Sequence, residues 1–161
     1  MLLGRGSLDG RGPYVVEGHF TLTEDHNGQI QFVAGDDFSF SDAEGRGMPE
    51  PGFALFHGDP TGWPMAVVMP TAKATDFLRL PPNIAVNGRQ SALLSPGLVL
   101  DAFDTVILIC FRNQTVLGVG SILKSRWYGD DRTAFAQDSL THHGQCAQSR
   151  RHPPGSPLGV L

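Results

Sequence analysis

Two apolar runs near the end of the chain dominate its hydrophobic pattern. The first is Thr105-Val106-Ile107-Leu108-Ile109-Cys110-Phe111-Arg112; Asn113-Gln114-Thr115 leads into the second, Val116 to Leu123. β-Branched apolar runs of this length predict buried strands, here two of them joined by a tight turn. Upstream, Val15 to Thr23 alternates apolar and polar residues as a strand does, and Asp25-His26-Asn27-Gly28 predicts a turn, because Asn-Gly tolerates positive φ. Gln29 to Val33 reads as a half-buried strand, Gly35-Asp36-Asp37 breaks it, and Phe38-Ser39-Phe40 resumes it. Residues 41–52 predict a surface loop, and Phe53 to His57 a further strand ended by Gly58-Asp59-Pro60-Thr61-Gly62. Trp63 to Met69 predicts a strand stopped by Pro70, and Ala72 to Leu80 either a short helix or an irregular strand. Ser95-Pro96-Gly97 predicts a turn before Leu98 to Leu100.

The ends of the chain lack this pattern. Residues 1–13 are Gly-rich and weakly patterned, which predicts a flexible N-terminus. After Lys124 the periodicity collapses, and residues 125–161 are rich in Arg, His, Gln, Pro, Gly and Ser. Such a segment buries too little apolar surface to offset its ordering entropy, so a disordered tail is expected. Between them, residues 14–124 predict an all-β fold: a single antiparallel β-sandwich or barrel-like domain. The chain's 20 Gly and 12 Pro suit a turn-rich β protein better than a helical one.

Charge narrows the functional classes. The formal net charge is -4, and Arg150-Arg151 is the one basic cluster, which gives nucleic-acid binding little basis. No apolar run approaches the ~20 residues that span a bilayer. The opening residues are too short and too polar a stretch for a signal peptide, so the expectation is an intracellular chain or a piece lacking its leader. Two cysteines, Cys110 and Cys146, are too few for a disulfide scaffold, and they sit in an apolar strand and a polar tail respectively.

Cys110 is therefore the residue of greatest chemical interest: either a small core residue or a reactive thiol. If Asn113 and Gln114 form a two-residue turn, Arg112 opposes Thr115, Cys110 opposes Leu117 and Leu108 opposes Val119. Cys110 then shares a face with Val106, Leu108, Arg112, Leu117 and Val119. Apolar neighbours raise a thiol's pKa, whereas a guanidinium on the same face favours thiolate. At an effective dielectric near 20, a charge about 6 Å away contributes roughly 2–3 kcal/mol, a gain that deep burial can cancel. Arg112 is accordingly the candidate thiolate stabiliser.

Other candidates are weaker. His19, His26 and His57 would have to converge to bind a metal, and none has an ordinary ligand spacing. Asp36, Asp37 and Asp59 suit cation binding less well than turn formation. Asn113-Gln114-Thr115 is a glycosylation acceptor motif if the chain enters a secretory compartment. Ser95 and Ser121 have no visible base partner, and no nucleophile elbow, phosphate-binding loop or carboxylate pair supports hydrolase or kinase chemistry.

Several of these segments together resemble a known family. Gly18-His19-Phe20, His26-Asn27-Gly28, Asp37-Phe38-Ser39-Phe40 and Pro51-Gly52-Phe53-Ala54-Leu55 are similar to the first half of the DM-thirteen domain, found in Skeletor-type proteins and often beside DOMON domains. Leu100, Phe103, Thr105 to Cys110 and Val116 to Leu123 resemble its second half, so the match covers roughly residues 15–124. The chain departs from the family in a longer loop at 43–50, a short turn at His26, and Ile109 where a bulky aromatic usually precedes the cysteine. The resemblance implies a β-sandwich-like domain with a role in electron transfer. Cys110 would act as a bare thiol or as a haem ligand, with His26 a second candidate ligand. It further implies a redox partner protein or a DOMON-type domain, and an extracellular or membrane-associated setting. The alternative is a non-catalytic binding or adhesion module in which Cys110 is simply packed.

Overall fold

The computed structural model describes residues 1–125. In chain order its elements are β1 (Leu2–Ser7), β2 (Asp9–Gly10), β3 (Val15–Glu17), β4 (His19–Glu24), β5 (Ile30–Ala34), β6 (Ser39–Ser41), β7 (Pro51–Phe56), α1 (Met65–Thr75), β8 (Asp76–Arg79), β9 (Val86–Asn87), β10 (Gln90–Leu93), a 3-10 turn (Leu100–Ala102), β11 (Thr105–Cys110), β12 (Thr115–Ser121) and β13 (Leu123–Lys124). The strands form three antiparallel sheets, none closed into a barrel. The first is ordered β10-β5-β4-β1-β13, the second β2-β12-β11-β7-β8, and the third, small one β3-β6-β9. The all-β sandwich expected from the sequence is the fold observed.

Alternation within the strands builds the layers. Phe20, Leu22, Phe32 and Ala34 of the first sheet point inward against Phe53, Leu55, Val106, Leu108, Cys110 and Leu117 of the second. Phe32 anchors this core, with ring centroids 5.0 Å from Phe53 and 4.9 Å from Phe77. The other face of the second sheet presents Ala54, Phe56, Ile107, Ile109 and Val119, and Val68, Met69 and Ala72 of α1 cover it. The second sheet is thus sandwiched between a sheet and a helix. That is why β7 and β11 are buried at every position and read as continuous apolar runs.

Three sequence expectations are corrected here. Residues 1–13 are not loose: β1 lies between β4 and β13, and β2 pairs with β12. Residues 63–69 are not a strand: α1 runs from Met65 through Pro70 to Thr75, leaving only 76–79 as strand. Buried Val68, Met69, Ala72 and Thr75 recur at helical spacing. The hairpin register also differs. The turn spans Phe111 to Gln114, so Cys110 opposes Thr115 and Leu108 opposes Gly118, with an irregularity between Leu108 and Ile109. Leu117 is the extra residue there, a β-bulge. The expected disordered tail lies, from residue 126 onward, outside the described residues. Among the described residues no helix is long and apolar enough to cross a membrane.

Candidate functional site

Cys110 ends the central strand of the second sheet and carries a free thiol. Its side chain is 0 % exposed and belongs to the main core with Val106, Leu108 and Leu117. The backbone N–H of Asn113 donates to Sγ at 3.4 Å. The sulfur therefore both fills core volume and accepts from the turn that follows it. Arg112 stands in that turn, exposed, with no hydrogen bond or ion pair to Cys110. The longer turn ends the strand before Arg112, and with it the face alternation that would have set the guanidinium beside the thiol. Val119 likewise moves to the helix-covered core, because the bulge at Leu117 inverts the alternation beyond it.

His26 occupies the turn between β4 and β5 and is exposed. The turn is built as expected: Asp25 Oδ1 accepts from the N–H groups of Asn27 and Gln29, and Gly28 takes φ of 80°. His26 and Cys110 thus belong to different sheets, one exposed in a hairpin turn and one enclosed in the core. Asn113 of the acceptor motif is exposed in its turn.

The other two histidines among the described residues, His57 and His19, are each held by a carboxylate. His57 Nδ1 lies 3.3 Å from Asp104 Oδ2, while Asp104 Oδ1 accepts from Gly58 N–H at 2.7 Å and from the Thr105 hydroxyl at 2.8 Å. These bonds, the Gly58 one foremost, hold the Asp104 carboxyl below its ordinary value. His19 Nδ1 meets Asp37 Oδ2 at 2.5 Å, and His19 N–H donates to Oδ1 at 3.1 Å. The His19 side chain's hydrogen bond is the main reason the Asp37 carboxyl is held low. Asp59 belongs to a loop clasp. Burial opposes its ionisation, but the Thr61 hydroxyl and N–H and the Arg11 guanidinium outweigh that and hold the carboxyl low. Among the described residues no group of three or more His, Cys, Asp or Glu converges to hold a metal.

Sequence reasoning missed one cluster. Ser7 is the cross-strand partner of His19, and Arg5 that of Thr21. The four side chains share the outer face of β1 and β4, and with Leu123 they line a cavity of about 250 Å³. Reading residues 1–13 as loose hid this pairing. Ser7, His19 and Asp37 stand in the order of a hydrolytic triad, but the His19 side chain is 77 % exposed. No hydrogen bond links it to Ser7, so the water-excluded, preorganised setting that such chemistry uses is missing.

No family model, curated protein or solved structure matches the chain.

Proposed function

We propose that this domain is a non-catalytic binding or adhesion module in which Cys110 is a packing residue. The observation that carries this reading is the enclosure of Cys110: 0 % exposed, among aliphatic side chains, with its sulfur engaged by Asn113 N–H. A redox thiol must meet its oxidant, and a haem ligand must meet iron. Either would require the 111–114 turn to open. Reactive cysteines sit in electropositive, partly exposed surroundings, whereas the guanidinium of Arg112 faces solvent. The cavity between β1 and β4 holds about 250 Å³ and the one beside the His26 turn about 350 Å³, and Cys110 lines neither. Among the described residues, α1 covers the outer face of the second sheet, and the outer face of the first sheet is the working surface of this reading.

The electron-transfer reading implied by the DM-thirteen resemblance gives the opposite outcome in one experiment. Haem is titrated into the full chain and into Cys110→Ser, and the Soret band is recorded. Identical spectra in the two proteins are expected. A shifted band in the wild type that is lost in Cys110→Ser would overturn the binding-module reading.

A further inference from the structure

We infer that the outer face of β1 and β4 is a binding site for an organic carboxylate with an apolar body. This deepens the binding-module reading and rests on it. The pairing Arg5↔Thr21 and Ser7↔His19 sets four polar side chains in a two-by-two group over the cavity, with Leu123, the partner of Arg5 on β13, at its border.

The chemistry of that lining selects the ligand. Arg5, Ser7 and Thr21 can each donate a hydrogen bond into the cavity, and the Asp37 carboxylate behind it is engaged by His19. Arg11, Arg46 and Arg79 each pair with carboxylates. Among the described residues Arg5 makes no side-chain hydrogen bond or ion pair, so its planar fork is available for two carboxylate oxygens. The His19 ring is fixed by Asp37 through Nδ1; with that nitrogen's N–H turned to Asp37, Nε2 of the neutral ring accepts rather than donates, so the ring serves as a fixed wall of the cavity and Arg5 as the carboxylate's partner. A ring already held in place loses little freedom on binding. Leu123 is 66 % exposed and offers the apolar contact for the rest of the ligand. The cavity admits one such group, either a small free acid or the acidic end of a larger molecule.

The test uses the full 161-residue chain and three probes: phenylacetate, neutral phenylacetamide and inorganic phosphate. Amide chemical shifts are followed during each titration. Phenylacetate is expected to give saturating shifts centred on Arg5, Ser7, His19, Thr21 and Leu123. Phenylacetamide, which loses the charge-assisted pair, and phosphate, which lacks the apolar body that meets Leu123, should each bind at least about tenfold more weakly. Arg5→Gln and, separately, Thr21→Val should weaken phenylacetate binding while the remaining amide spectrum stays native. Absence of saturating shifts at these residues, equal binding of phenylacetamide or phosphate, or undiminished binding by folded Arg5→Gln would overturn the site. Those results would leave the haem titration with Cys110→Ser unaltered, so loss of this site and loss of the module reading are distinguishable.

Discussion

The side chains with the strongest hydrogen-bonding demands in this domain act on loops and turns. Asp104 receives an N–H from Gly58 and a hydroxyl from Thr105, and so fixes the chain where it leaves β7 and where it enters β11. Because these bonds favour the ionised carboxylate, its folded pKa lies below the ordinary 3.8. A depressed folded pKa contributes stability above the unfolded value, and that contribution is lost as pH falls through the folded one. Asp37 and Asp59 act in the same direction. The melting temperature should therefore decline as pH drops below about 4, the unfolded carboxyl range, and Asp104→Asn should make the decline shallower. A scan in which the variant and wild type lose stability in parallel would show that Asp104 is not part of this linkage. At this scale the sequence was informative for the Asp25 turn, whose Asx geometry follows from residue type. It was less so for Cys110. Its face was readable from alternation with Val106 and Leu108, but its separation from Arg112 depends on a longer turn that residue types alone do not specify.

Among the elements, β1 and α1 hold the instructive departures. β1 carries Gly4 and Gly6 at inward positions, which removes the apolar alternation that marks a strand. The glycines are there because neighbours fill the space: a Cβ on Gly6 would lie 2.2 Å from the Ser121 carbonyl oxygen and 2.5 Å from the Phe20 ring. Gly6→Val should overpack the core and destabilise the domain by about 1–3 kcal/mol in urea unfolding; an unchanged midpoint would mean that β1 is not held against β4. In α1, exposed Ala66, Val67 and Ala74 lie opposite the buried stripe and Pro70 interrupts the interior, so neither polarity nor propensity marked a helix. Its C-terminus is joined to the sheet by Thr75. That hydroxyl accepts from Leu55 N–H at 3.2 Å and lies 2.7 Å from the Leu55 carbonyl oxygen and 2.8 Å from that of Thr71. Thr75→Val keeps the shape and removes these bonds. It should cost about 1–3 kcal/mol, the penalty for stranding buried backbone polar groups, and a neutral result would show that water or backbone takes over. By contrast β11 and β12 were legible as strands, since burial on both faces leaves a continuous apolar run. Their register was not, because the bulge at Leu117 adds a residue without altering composition.

For the molecule as a whole, the layer order decides which surface is available. The second sheet, with Cys110 in it, is enclosed by the first sheet on one side and α1 on the other. The apolar runs announced that these strands were buried, but they did not reveal that a helix supplied the third layer. The proposed function amounts to a division of labour, in which the middle layer stabilises and the outer face of the first sheet is the surface offered to ligands. That division is tested most directly by native-state thiol labelling of the full chain in a Cys146→Ser background, where Cys110 is the sole cysteine. The account predicts that an aromatic disulfide reagent at neutral pH leaves Cys110 unmodified until denaturant passes the unfolding midpoint. Rapid, stoichiometric labelling of the folded protein would contradict it.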